Sequence, residues 1–174
     1  APNESTASSK EADAAKFAMI RRGVPAIRVK AVSFDPCVQL ARTELIRIFA
    51  AASGFSDYDG GDGAQTLLLG IAGDNSSSVC DKVVANHAQT PEKLGDEGFV
   101  LAFVDNKTFC LTAYTGKGVL NGVYKVLEKT MGICQPRPLV KLEFPVPVRR
   151  SDELVLPYSE RPAFALRGLS LSRM

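Results

Sequence analysis

The sequence predicts an α+β fold, a two-layer sandwich in which a roughly four-stranded mixed sheet carries two main helices on one face. Three observations lead to it. Two stretches, Asp35 to Gly54 and Gly118 to Gly132, place apolar residues at helical spacing between recognisable caps. Four runs, Ala26 to Val32, Gln65 to Ala72, Gly98 to Val104 and Thr108 to Tyr114, have the length and composition of strands. Their order is strand, helix, strand, excursion, hairpin, helix, and a parallel connection across the first helix is expected to be right-handed. At 174 residues the chain suits one domain with short appendages, and a chain of this size needs neither disulfides nor a metal to hold a core.

Residues 1–22 read as a flexible N-terminal segment: the first ten are small and polar, and Glu11 to Ala18 has room only for a helical turn before Gly23 and Pro25. Ile27, Val29 and Ala31 then alternate with Arg28 and Lys30, the pattern of a half-buried strand. Asp35 and Pro36 supply an N-cap and a pre-set first helical residue for Val38, Ala41, Leu45, Ile48, Phe49 and Ala52, and Gly54 ends that helix. Ser56 to Gly63 is a loop by composition, and the apolar run Gln65 to Ala72 suits a strand covered on both faces. The polar stretch from Asp74 to Gly95, with room for a short helix at Val79 to Ala88, reads as a surface excursion. Asp105-Asn106-Lys107 joins the next two strands as a hairpin, and Val119, Leu120, Val123, Tyr124, Leu127 and Met131 form the second amphipathic helix. Residues 23–134 thus make the domain. Beyond it, Pro136, Pro138, Pro145, Pro147, Pro157 and Pro162 forbid a long helix or a central strand, so 135–174 is an extended crossing segment with a short edge strand within Val146 to Val155 and an alternating run at Leu166 to Leu171.

Composition excludes several functions. Basic residues number 21 against 19 acidic ones and are scattered along the chain, which argues against a nucleic-acid surface. No apolar run approaches the roughly 18 residues that span a bilayer. Cys37, Cys80, Cys110 and Cys134 have no metal-ligand spacing and suit free, buried thiols, and no cofactor motif is present. The small, polar start of the chain, of the kind that follows a processed leader, points to export.

Candidate chemistry is sparse. Asp57, Asp59 and Asp62 offer calcium ligands, but the twelfth loop position is Leu68 rather than Glu. Gly116-Lys117-Gly118 opens a helix as a phosphate cradle does, without the P-loop spacing, and reads better as glycines that permit close packing. His87, the single histidine, has no nucleophile-elbow motif to serve. Asp96-Glu97 and Asp152-Glu153 are adjacent pairs whose side chains diverge on a strand, so neither makes the facing carboxylates of glycoside chemistry.

The run GDEGFVLAFVDNKTFCLTAYTGKGVLNGVYKVLEKTMG, followed by a Pro-rich crossing and RPAFALRGLSL, resembles the accessory domain that precedes the catalytic barrel in family 20 β-N-acetylhexosaminidases. Family 84 enzymes and family 67 α-glucuronidases share a similar plan. A strand of type DEGYxL, a second strand and a helix beginning GxxxGxxTLxQL match Asp96 to Leu101, Phe109 to Thr115 and Gly118 to Leu127. The family's crossing to RPxFxxRGxxLD matches Arg161-Pro162-Ala163-Phe164 and Arg167-Gly168-Leu169, and departs at Ser170-Leu171-Ser172-Arg173.

The resemblance implies a hexosaminidase domain 2-like fold, a non-catalytic role in orienting or stabilising a barrel of the same polypeptide, and carbohydrate as the substrate of that barrel. It implies a secreted, periplasmic or surface-lipoprotein parent, no cofactor and no catalytic residue within this chain. Arg167 matches an arginine that binds sugar from the first barrel strand. An apolar docking patch is expected near Leu166, Leu169 and Leu171. A free-standing carbohydrate-binding module and a small enzyme using His87 or Cys110 remain as alternatives, the former weakened by the absence of Trp.

Overall fold

The computed structural model describes residues 16–55, 64–134, 141 and 143–162. In chain order these form β1 (Lys16–Phe17), β2 (Ile20–Arg21), β3 (Val24–Pro25), β4 (Ile27–Ala31), α1 (Pro36–Ser53), β5 (Gln65–Ile71), α2 (Ser78–Asn86), α3 (Pro91–Leu94), β6 (Phe99–Asp105), β7 (Thr108–Ala113), α4 (Gly116–Met131), β8 (Leu154–Val155) and β9 (Tyr158–Glu160). The fold is α+β, with a mixed five-stranded sheet in the order β4-β5-β7-β6-β9. β4, β5 and β7 run parallel, and β6 is antiparallel to both β7 and β9.

Both expected helices form and pack on one face. Asp35 caps α1 by accepting from the N–H groups of Cys37 and Val38, and Gly54 closes it in the left-handed region at φ 73°. The apolar stripe of α1 meets Val119, Val123, Val126 and Leu127 of α4 over Leu67, Leu69, Phe109 and Leu111 of the sheet. Each such side chain, fully buried, contributes about 1.5–3 kcal/mol against exposure.

The other face is covered too, and here the structure corrects the reading of residues 74–95 as a surface excursion. Cys80, Val83 and Val84 of α2 are buried with Leu94 of α3 against Val100, Ala102 and Cys110, making a second, smaller core. A helix of nine residues shows its buried stripe at only three positions, and the exposed residues between them gave that stretch its polar texture.

Two further differences concern the flanks. The N-terminal part described is extended rather than helical, and Phe17 and Met19 are fully buried, Phe17 edge-on to Phe109 with centroids 5.1 Å apart. The packed unit therefore includes residues 16–22, where the sequence predicts a flexible segment. The Pro-rich segment supplies the fifth strand, β9, and β8 pairs with β1. It also reaches the ends of both long helices: the Val148 N–H donates to the Ala52 carbonyl at 2.7 Å, and the Asp152 N–H to the Thr130 carbonyl at 2.6 Å. Those carbonyls belong to last turns that lack intrahelical donors, so the segment satisfies groups that would otherwise need water. The expected strand at Leu166 to Leu171 lies outside the described residues.

Candidate functional site

In an open sheet with parallel strands, the place for a ligand is the crevice beyond the carboxyl ends of those strands. Here β4, β5 and β7 end on one side, where α1 and α4 begin. Polar residues gather there, and most are engaged with one another. The Ser33 hydroxyl donates to Asp74 at 2.6 Å, and the Gln39 amide donates to the Ser33 carbonyl at 2.8 Å. Burial opposes ionisation of Asp74, yet hydrogen bonds from Ser33 and Ser76 outweigh it and hold the carboxyl below its usual range. Asp81 accepts from the Gly73 N–H at 2.7 Å.

The start of α4 is tied to the Asp96-Glu97-Gly98 turn. Thr115 caps the helix by accepting from the Gly118 N–H at 3.0 Å, and its hydroxyl donates to the Asp96 carbonyl at 2.5 Å. The Asn121 amide reaches the Glu97 carbonyl at 3.4 Å. Asp96 faces solvent whereas the Glu97 carboxylate is buried and ion-paired with Lys117; both stand in the turn before β6 rather than on a strand, so the turn and not strand alternation separates them.

The glycines explain why this helix starts so close to the sheet. A Cβ at Gly116 would lie 2.1 Å from Asp35 Oδ1, and one at Gly118 would lie 2.6 Å from both the Gly98 carbonyl oxygen and the Ala113 methyl. The space above Gly116 is thus filled by a carboxylate, which repels a phosphate, and Gly116-Lys117-Gly118 serves close packing.

His87 closes α2, and among the described residues its ring is hydrogen-bonded to no serine, cysteine or aspartate. Asp152 and Glu153 are both exposed, with Glu153 paired to Lys16 at 3.4 Å. No group of three or more His, Cys, Asp or Glu side chains with metal-binding placement occurs among the described residues, nor does a helix long and apolar enough to cross a membrane. Asp57, Asp59 and Asp62, Arg167, and the leucines at 166, 169 and 171 lie outside the described residues. The described chain reaches Pro162 beside α3, where Arg161 donates to the Glu92 carbonyl at 2.7 Å.

Two arrangements escaped the sequence reading. Glu44 of α1 is fully buried, takes two hydrogen bonds from Arg47 at 2.9 and 3.0 Å, and accepts from the Tyr124 hydroxyl of α4 at 3.0 Å. Burial, and then Glu44, push the Tyr124 hydroxyl well above its ordinary range. The signal was present: Glu44 sits on the apolar stripe between Ala41 and Ile48. The second arrangement is the contact of Cys80 Sγ with Cys110 Sγ at 3.8 Å, which joins residues 30 apart in sequence.

No family model and no curated protein matches the chain. Among solved structures, it is similar to an N-acetyl-β-hexosaminidase of Streptomyces plicatus in complex with Thio-NAglucal, at 18% identity and a TM-score of 0.41. The likeness covers 85% of this chain and 24% of that one, so the chain spans about a quarter of the enzyme's length. At that identity and score no residue role passes from the enzyme to this chain.

Proposed function

We propose that the chain is a non-catalytic accessory domain of a carbohydrate-active glycoside hydrolase, orienting or stabilising a catalytic barrel of the same polypeptide. The observation that carries the reading is what the residues of the hexosaminidase-like motif do. Asp96, Glu97 and Gly98 are held by Thr115, Lys117, Gly118 and Asn121, and all of these contacts are spent on joining a strand to a helix. The Pro-rich segment supports it further. Hydrogen-bonded to α1 and α4 and paired into the sheet as β9, that segment holds Arg161-Pro162 at one place beside α3, as an orienting strap must. In this reading Arg167 belongs to the first barrel strand and meets sugar only there, and the parent protein is exported.

The test is twofold. The purified chain is assayed with aryl glycosides, including the N-acetylglucosaminide, and the source gene is sequenced past the Met174 codon. The expected result is no hydrolysis and a reading frame that continues into alternating strands and helices with acidic residues at strand ends. Hydrolysis by the chain at the rate of a complete glycosidase overturns the proposal. One observation favours the binding-module reading: Phe34, at the carboxyl end of β4, is 95% exposed, an open ring of the kind on which sugars stack. Glycan-array binding that is lost in Phe34→Ala would move the assignment to that class.

A further inference from the structure

We propose that Cys80 and Cys110 form an oxidisable pair, which a thiol-disulfide oxidant closes into a disulfide that staples α2 onto β7. The two sulfurs touch at 3.8 Å, and both residues are fully buried. A disulfide needs about 2.05 Å, so the sulfurs must close by about 1.8 Å, between a helix and a strand already packed on each other. A Cβ at Gly70 would stand 2.6 Å from Cys80 Sγ, so this glycine of β5 makes the seat in which the sulfur lies beside Cys110.

The two thiols differ in a way that orders the chemistry. Cys80 lies in the first turn of α2, behind the Ser77 cap, where the helix dipole favours a thiolate. The hydrogen bond with Cys110 lowers its pKa most; burial opposes this, and the Thr112 and Ser77 hydroxyls add to the lowering. The thiol of Cys110 is pushed far up by its bond to Cys80 and by burial. Its place in the first turn of α2 makes Cys80 the attacking group, and Cys110, in the middle of β7, the resolving one.

With glutathione disulfide as oxidant, the Cys80 thiolate attacks one sulfur, forms the mixed disulfide and expels a glutathione thiolate. Cys110, giving up its proton, then attacks Cys80 Sγ and expels the second glutathione. Two protons and two electrons leave the protein, and two glutathiones are released reduced. Attack requires α2 to lift locally from the sheet, where it is held by the smaller of the two cores, beneath Val83 and Val84.

The native chain is incubated with glutathione disulfide in the absence of denaturant, its thiols are titrated, and its peptides are mapped without reduction. The expected result is two thiols of the original four, a mass lower by about 2 Da, and one cross-linked peptide pair containing Cys80 and Cys110. The melting temperature should rise by roughly 5–10 °C and return on reduction. Cys37→Ser/Cys134→Ser, which removes the other two thiols, should behave identically, and Cys80→Ser should show no oxidation-dependent shift. Four thiols left after prolonged oxidation, a cross-link to Cys37 or Cys134, or a Cys80–Cys110 link that appears only in urea would each overturn the proposal. The peptide map of the unsubstituted chain decides the matter even if Cys80→Ser does not fold.

Discussion

Gly118→Ala sets two effects of known sign against each other. Alanine inside a helix is favoured over glycine by about 1 kcal/mol, and by less in the first turn, where Gly118 lies. Against this, the new methyl would stand 2.6 Å from the Ala113 Cβ and 2.6 Å from the Gly98 carbonyl oxygen. Carbon contacts settle at about 3.5–4.0 Å, and neither neighbour is the free end of a flexible side chain, so the helix itself must withdraw by about 1 Å. That withdrawal stretches the Thr115 bond to Asp96, now 2.5 Å, and the Asn121 bond to Glu97, already 3.4 Å, and it loosens the seating of Val119 and Val123.

Overpacking costs about 1–3 kcal/mol, and a weakened hydrogen bond about 1 more. The steric term wins, leaving a net loss of about 1–3 kcal/mol, or roughly 3–9 °C in melting temperature. Urea unfolding followed by circular dichroism measures it, with the midpoint expected to fall at unchanged slope. Gly122→Ala is the companion: its methyl would meet Leu111 Cδ2 at 2.8 Å and the Phe99 ring at 2.9 Å, side-chain atoms that can shift, so its loss should be the smaller of the two. A Gly118→Ala protein as stable as the parent would refute the claim that this glycine exists for close approach.

Glu44→Ala should cost about 2–3 kcal/mol by thermal unfolding, because it leaves Arg47 and Tyr124 without their shared acceptor, although Arg47 can turn partly to water. Combined with Tyr124→Phe the loss should be less than additive, and strict additivity would deny the coupling. Tyr114, Tyr124 and Tyr158 all have raised pKa values, with burial the leading cause in each. A group raised by folding contributes stability that is complete below its unfolded value, near 10, and drains as pH climbs towards the folded one. Stability should therefore fall from about pH 10 upward, and phenolate absorbance should grow together with loss of the folded signal; ionisation of all the tyrosines near their free value in a folded protein would contradict this. Val148→Pro removes the N–H bonded to Ala52 and should lower stability by about 1–2 kcal/mol and speed proteolysis of the Pro-rich segment; unchanged cleavage would show that the strap is not held there.

Where a segment's own residues decide its structure, the sequence was enough. Asp35, Pro36 and Gly54 bound α1, and the apolar stripe between them faces the sheet, because capping and periodicity are local. The strands were likewise readable, β4 from its alternation and β5 from its continuous apolar run, whereas the parallel pairing of β7 with β5 was not. The misses arise where a partner far along the chain supplies the reason for the structure. β9 is a three-residue strand in a proline-rich stretch, and it exists because β6 offers an open edge. Phe17 and Met19 are core residues because the sheet passes beneath them, with Phe17 against Phe109, a partner far along the chain.

The candidate site divides in the same way. Gly116-Lys117-Gly118 was interpretable from spacing, because the P-loop pattern is missing, whereas Asp96-Glu97 was expected on a strand and lies in the turn before β6. The meeting of Cys80 with Cys110, 30 residues away, depends on α2 lying across β7, and the burial of Glu44 depends on Tyr124 arriving from α4. Both involve a reactive or charged side chain hidden on an element whose exposed face looked ordinary. That distinction also bears on the proposed role. The motif joins a strand to a helix through the Asp96 and Glu97 carbonyls and the Glu97–Lys117 ion pair, and the segment bonded to α1 and α4 reaches α3 at Arg161.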